Sequence, residues 1–298
     1  MKAKFWIVQI AALSGLASFM SAAQAIDTLA RIKETQTITI AHREASFPFS
    51  YLSESKKPIG YSVDICQKIV DALKKELKSP QLTVNYLLVT ASTRIPSIAE
   101  GKADLECGST TNNAERRKQV AFTIPHFFAT ARMLVRADSG ITNWTDLKDK
   151  KVVTTKGTTS VKLLNDRDKV RSLGLKLVEG NDHNNSFAMV ESFQADAFTM
   201  DDVLLYGFRA NSKEPAKFAI VGDSLSTEPY AIMLRKDDPA FKSFVDREIS
   251  RMMGDGEINK FYTKWFQQPV PPKGANLNMP MGFLLRDTIR FPSDKVAD

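Results

Sequence analysis

The chain of 298 residues is poor in cysteine, histidine, glycine and proline. Two cysteines exclude a disulfide-dense scaffold and any zinc site built from four thiolates. Three histidines, His42, His126 and His183, lie far apart and show no metal-ligand spacing. Fourteen glycines and thirteen prolines are too few for a collagen or a low-complexity linker protein. Beyond the first two dozen residues no stretch is long and apolar enough to span a bilayer, which excludes a polytopic membrane protein. There is no G-x-G-x-x-G, no Walker loop, no G-x-S-x-G and no H-E-x-x-H, so the common enzyme signatures are missing. Charge is not strongly one-sided. The 41 basic and 34 acidic residues leave a formal +7, scattered along the chain. That excess suits anionic small molecules or acidic surfaces and lacks the clustered basic face of a nucleic-acid binder.

What is present begins with a leader. Lys2 and Lys4 precede an apolar stretch from Phe5 to Met20, and Ala23-Gln24-Ala25 fits a small-x-small cleavage site. Residues 1–25 therefore read as a signal peptide, and the product as an exported, periplasmic protein. No Cys stands at the cut, which argues against a lipid anchor. An oxidising compartment makes a Cys66–Cys107 disulfide feasible; two buried free thiols are the alternative.

The rest alternates short apolar runs with amphipathic stretches. Strands are expected at Thr37 to Ala41, Leu82 to Val89, Ala103 to Cys107, Lys151 to Thr155, Leu175 to Val178 and Ala197 to Met200. Helices are expected at Val63 to Leu77, from Ser92 or Thr93 to Glu100, and at Asn113 to Gln119. Others fall at Thr159 to Leu173, Ser186 to Phe193, Asp201 to Ala210 and Pro239 to about Trp265. A Pro-rich polar tail follows from Pro269. Two blocks of strand–helix alternation imply two α/β domains with mainly parallel sheets. Extended runs near 127–136 and 226–235 bracket the second block, as if an inserted domain were joined to the first by two crossing strands. A ligand would then bind between the domains, at the carboxyl ends of the strands.

Four strand-to-helix junctions carry the polar chemistry. They are Ala41-His42-Arg43-Glu44, Ala91-Ser92-Thr93-Arg94, Cys107-Gly108-Ser109-Thr110-Thr111-Asn112-Asn113 with Arg116 beyond it, and Thr154-Thr155-Lys156-Gly157-Thr158-Thr159-Ser160. Hydroxyl-rich junctions offer N–H and O–H donors and a helix N-terminus, which suit a carboxylate or phosphate. A lone Ser or Thr there is more often a helix cap. The weight comes from several such junctions in both halves, three with an Arg in or near them. Asp201-Asp202 are adjacent, so one can line a site while the other caps a helix.

Several segments carry a resemblance. His42-Arg43-Glu44-Ala45-Ser46-Phe47-Pro48-Phe49-Ser50-Tyr51, Glu106 to Asn113, Asp182-His183-Asn184-Asn185-Ser186-Phe187, Met200-Asp201-Asp202 and Lys264-Trp265-Phe266-Gln267-Gln268-Pro269-Val270-Pro271-Pro272-Lys273 resemble the glutamate/aspartate-binding proteins of polar-amino-acid ABC importers. These form a branch of solute-binding protein family 3. The likeness runs from about Leu29 to the C-terminal tail. Thr111 and Arg116 also meet the wider family's T-x-x-x-x-R pattern. The resemblance implies a two-domain α/β fold of the type II, Venus-flytrap kind. The first domain would comprise residues 26–130 and 229–270, the second 131–228, and the tail 271–298.

It also implies a site. Arg116 would grip the ligand α-carboxylate, helped by Thr111 and Thr159. Asp201 would hold the α-ammonium with Ser109 assisting. Arg43, Arg94 and His183 would surround the side-chain carboxylate, with Thr155 nearby. An acidic amino acid carries two negative groups and one positive, so at least two guanidinium groups and one carboxylate are required. No cofactor is implied. The expected partners are glutamate or aspartate and the membrane permease subunits of an ABC importer, with the protein a monomer and no nucleic acid involved. Two positions depart from the family. Ala91 stands where Ser is frequent, and Ile232 where relatives often carry Cys. The competing reading is an exported carboxylate-processing enzyme on the same scaffold, resembling cyclohexadienyl dehydratases.

Overall fold

The computed structural model describes residues 27–296, so the leader expected over residues 1–25 lies outside the described residues. Helix α1 (Thr28–Thr35) is capped by Asp27, whose carboxylate accepts from the Ala30 N–H. Strand β1 (Thr37–His42) follows, then a small antiparallel sheet of β2 (Ala45–Ser46), β3 (Ser50–Leu52) and β4 (Pro58–Ile59). Helix α2 (Tyr61–Glu76) turns Ile65, Cys66, Ile69, Val70 and Leu73 inward at helical spacing. Next come β5 (Thr83–Leu88), α3 (Arg94–Ala99), β6 (Leu105–Glu106), α4 (Ala114–Arg117) and β7 (Val120–Phe122). Asn113 caps α4 by accepting from the Arg116 N–H.

The extended run expected near 127–136 breaks at Thr130 into β8 (Phe127–Ala129) and β9 (Ala131–Arg136). The second block supplies β10 (Lys151–Thr155), α5 (Thr159–Arg171), β11 (Lys176–Gly180), α6 (His183–Glu191), β12 (Ala197–Asp201), α7 (Asp202–Asn211) and β13 (Phe218–Val221). The chain returns through β14 (Glu228–Tyr230) and β15 (Met233–Arg235). It then forms α8 (Pro239–Gly254) and α9 (Glu257–Phe266), separated at Gly256 in the left-handed region, not one continuous helix. The tail is not devoid of structure, because α10 (Phe283–Arg290) lies within it and buries Leu285.

Two five-stranded sheets result. The first has the order β5-β1-β6-β15-β7 and the second β11-β10-β12-β9-β13. In the first, β1 runs parallel to β5 and β6, and β15 antiparallel to β6 and β7. In the second, β10 runs parallel to β11 and β12, and β9 antiparallel to β12 and β13. Between the sheets, β8 and β14 pair antiparallel, Glu228 opposite Ala129 and Tyr230 opposite Phe127. These are the two crossing segments. Aromatic side chains cluster beside them: Phe127 stacks on Phe266 at 5.0 Å and Phe49 meets Tyr230 edge-on at 5.1 Å.

Cys66 of α2 is bonded to Cys107, just past β6, with Cα atoms 6.4 Å apart. The bridge fastens α2 to the segment that leads into Gly108-Ser109-Thr110-Thr111.

Candidate functional site

The parallel strands of each sheet end toward the other sheet, and the residues singled out from sequence lie at those ends. Arg43 follows β1, Arg94 opens α3, Ser109 and Thr111 follow β6, and Arg116 lies on α4. From the other side come Thr155 at the end of β10, Thr159 at the start of α5, His183 at the start of α6 and Asp201 at the end of β12. All are buried except Thr159, which is partly so.

Their contacts knit them together. Arg116 Nη1 donates to Thr111 O at 2.9 Å, and its Nη2 crosses to Gly157 O at 3.3 Å. Arg94 Nη1 donates to Ser109 O at 3.1 Å. His183 Nδ1 lies 2.8 Å from the Thr155 hydroxyl. The Asp201 Oδ2 accepts from the Tyr230 hydroxyl. Neighbouring Asp202 instead accepts from the Thr130 and Val203 N–H groups at 3.1 and 2.8 Å. Thus one carboxylate of the pair enters the cleft and the other organises the helix start and the adjoining strand.

Buried polar atoms without partners mark where a ligand would be received. Arg43 Nη1, Arg94 Nε, Ser109 Oγ and Asp201 Oδ1 are each buried without a hydrogen bond. A buried unpaired polar group costs free energy, so a native site holds several only when something else satisfies them.

The electrostatics agree. Burial, reinforced by Arg94, pushes the Arg43 and Arg116 guanidinium groups down to about 9, still charged at neutral pH. Burial and the neighbouring Glu228 push the Asp201 carboxyl well above the usual range, against the bond from Tyr230. Burial, then Arg43 and Arg94, hold His183 well below its ordinary value. Burial and like-charged neighbours thus burden both the guanidinium groups and the Asp201 carboxyl, and a partner bearing both signs of charge would offset the like charges.

Sequence reasoning missed three members. Glu228 Oε2 accepts from Thr111 Oγ1 at 2.7 Å and from Thr159 Oγ1 at 3.0 Å, joining the two sides beside the crossing strands. The two threonine hydroxyl hydrogens are therefore spent on Glu228. What Thr159 retains for a ligand is the start of α5. Glu106 is fully buried and accepts from Thr110 Oγ1 at 2.6 Å, with its charge opposing the depression of Arg43 and Arg94. Tyr230 aims Asp201. Glu228 and Tyr230 lie in the crossing strand β14, whose place between the sheets was their only signal, whereas Glu106 ends β6 and opens the segment Glu106 to Asn113 that carried the resemblance.

The profile of the bacterial extracellular solute-binding proteins, family 3, matches residues 38–268. The chain belongs to this family. The L-glutamate/L-aspartate-binding protein of Pseudomonas aeruginosa is 51% identical over 272 residues, covering 91% of this chain and 90% of that protein. The glutamate/aspartate import solute-binding protein of Escherichia coli is 42% identical over 98% of this chain and 97% of its own length. Among solved structures, the solute receptor for L-cysteine of Neisseria gonorrhoeae matches with a TM-score of 0.72 at 26% identity. That match covers 83% of this chain and 98% of the receptor. The two-sheet architecture is the type II periplasmic-binding-protein fold shared by such members. The curated relatives are binding proteins, so the reading as an exported dehydratase is not favoured. This member of the family is a solute-binding protein and not an enzyme.

Proposed function

We propose that the protein captures L-glutamate or L-aspartate in the cleft between its two sheets and delivers it, as a monomer, to the permease subunits of an ABC importer. The observation that carries this reading is the charge pattern. Three buried guanidinium groups, Arg43, Arg94 and Arg116, share a cleft with the unpartnered Oδ1 of Asp201. Arg116, held by the Thr111 carbonyl, takes the α-carboxylate together with the start of α5 at Thr159. Asp201 takes the α-ammonium with Ser109. Arg43, Arg94, His183 and Thr155 surround the side-chain carboxylate. Charge-assisted, desolvated contacts of this kind are the strong ones. The names of the two curated relatives support the same ligand class.

Residues 26–130 with 229–270 form one jaw and 131–228 the other, with 271–298 as a tail. Residues 1–25 direct export to the periplasm. Cells lacking the protein should take up labelled glutamate and aspartate several-fold more slowly from dilute medium, with arginine uptake unchanged. Restoring the wild-type chain should rescue uptake, and restoring Arg116→Ala should not. Unchanged acidic uptake in the deleted strain would contradict the assignment.

A further inference from the structure

His183 opens α6 with Nδ1 2.8 Å from Thr155 Oγ1, and Thr155 Oγ1 lies 2.8 Å from Ser186 Oγ. Ser186 Oγ also lies 3.0 Å from Asp182 O and 3.4 Å from Thr154 O. Carbonyls only accept, and a serine has a single hydroxyl hydrogen. Ser186 Oγ back-bonds to the Asp182 carbonyl four residues earlier, and in that arrangement it accepts from Thr155. The Thr155 hydrogen is then used, its oxygen accepts from His183, and the ring carries its hydrogen on Nδ1. In the neutral ring Nε2 is then a bare lone pair. His183, Thr155 and Ser186 are all buried, which leaves little room for water to substitute in this relay.

The charges around the ring come from both jaws. Arg43 and Arg94 face it from the first. On its own helix, Asp182 accepts from the Asn185 N–H, and Glu191 is exposed at the far end. On the strands packed against α6, Lys151, Lys176 and Glu179 are exposed. Arg132 donates to the Ile220 and Gly222 carbonyls, and Arg136 to those of Val190 and Ala195. Asp201 accepts from Tyr230 at Oδ2 and leaves Oδ1 unpartnered. The ring is thus set between two guanidinium groups and a fixed acceptor.

This inference rests on the site reading above. We infer that the Thr155–Ser186 relay makes His183 a proton-coupled specificity residue, whose Nε2 takes up a proton when an acidic amino acid binds. A lone pair facing a carboxylate is repulsive, and the relay with Ser186 bonded to the Asp182 carbonyl holds the ring in the Nδ1–H tautomer. The incoming carboxylate also offsets Arg43 and Arg94, which oppose the proton in the empty cleft. An amide side chain would instead donate N–H to the bare Nε2 and need no proton. Because binding an acid takes up a proton here, the His183 contribution strengthens acidic ligands as pH falls. The slope is up to about tenfold per pH unit, between the ring's pKa in the complex and its lower pKa in the empty protein.

The experiment is nitrogen NMR of the mature protein labelled with ¹⁵N-histidine. Only three rings contribute, and the buried His126 serves as an internal reference. Ser62 Oγ lies 2.8 Å from Gly108 O and 2.9 Å from His126 Nε2, and with its hydrogen on the carbonyl it accepts from Nε2. Ligand-free His183 should show the neutral Nδ1–H form. Saturating glutamate at neutral pH should convert it to imidazolium in the wild type and in Thr155→Ser. In Thr155→Val, and separately in Ser186→Ala, the ring is released to become a neutral Nε2–H donor and should stay uncharged in the complex. A ligand-free Nε2–H ring, a neutral ring in the wild-type glutamate complex, or equal protonation in both released variants would overturn the inference. Calorimetry on the same sample separates the two levels. A sample that binds neither glutamate nor aspartate overturns the site reading together with this inference. Binding with a neutral ring overturns the inference alone.

Discussion

Gly157, between β10 and α5, lies against Ser92, just before α3, so close that a Cβ on the glycine would stand 2.6 Å from the serine Cα. Its φ of +79° also belongs to the left-handed region that favours glycine. A similar approach occurs at Gly207, where a Cβ would meet the Phe47 ring at 2.8 Å. Together with the Arg116–Gly157 hydrogen bond, these contacts describe a closed cleft. Gly157→Ala should therefore disfavour closure by about 1–3 kcal/mol, weakening glutamate roughly 5- to 150-fold. Small-angle scattering should show the wild type contracting on glutamate addition and the variant contracting only at higher ligand concentration. Unchanged affinity in Gly157→Ala would mean that the bound form does not bring these segments together.

The arginines divide the ligand between them. Arg116→Ala should abolish binding of every amino acid, since losing a desolvated charge-assisted contact costs on the order of 2–5 kcal/mol. Arg43→Ala and Arg94→Ala should weaken glutamate and aspartate much more than glutamine and asparagine, because a neutral amide makes no use of the lost charge. Titration of the three variants with acids and amides checks this. Equal losses for acids and amides would place Arg43 and Arg94 outside the side-chain pocket.

Asp201 trades stability for binding. Its folded-state pKa is raised by burial and by Glu228. A raised acid contributes stability below its unfolded value near 3.8, and that contribution is lost as pH rises through the folded value. Asp201→Asn should accordingly raise the Tm of the empty protein at neutral pH, give no such gain near pH 3, and abolish amino-acid binding. A lower Tm at neutral pH would show that the Tyr230 bond outweighs the burial of the charge.

Much of this was legible in sequence, and the exceptions have physical reasons. Lys151–Thr155 is a buried apolar-and-threonine run bounded by polar residues, and its strand was readable to the residue. Helix α6 begins three residues before the expected Ser186, because its first turn is His183-Asn184-Asn185 with no apolar period. Its start is set instead by Asp182, which accepts from the Asn185 N–H. That difference moves His183 from a loop onto a helix terminus. Helix α1 escaped notice because only Thr28 and Ile32 are buried in it, and α10 because prolines precede it. The arginines were legible because they adjoin strand ends with dense hydroxyl chemistry, whereas the roles of Asp201 and His183 came from the resemblance. Glu106 and Glu228 were not legible, since a lone acid in an extended run carries no local signature, and its burial depends on partners far away in the chain.

His126 sets a limit at low pH. Burial pushes its ring down to about 3. The neutral ring contributes stability fully above its unfolded value of 6.5, and that contribution is lost as pH falls toward about 3. The loss amounts to on the order of 5 kcal/mol over that window. His126→Asn should flatten the acid limb of the stability-versus-pH curve by about one proton, as read from denaturant unfolding at a series of pH values. An unchanged slope below pH 6.5 would mean that the ring is reached by protons without unfolding.

The Cys66–Cys107 bond closes a loop with a sequence separation of 41 residues. On the chain-entropy account its removal should lower stability by about 4 kcal/mol. The double variant Cys66→Ser, Cys107→Ser should show this in denaturant unfolding. It should also lose glutamate affinity, because the bridge holds the segment leading to Ser109 and Thr111. A variant with full stability and full affinity would show that the bridge does neither.

The charges of this cleft call for an amino acid bearing a second carboxylate. Calorimetric titration of the purified mature protein with glutamate, aspartate, glutamine, asparagine, arginine and cysteine measures that selectivity. One acidic amino acid should bind at a single site and at least roughly 100-fold more tightly than its own amide. A neutral or basic amino acid binding more tightly than both acids, or no heat from either acid, would contradict it.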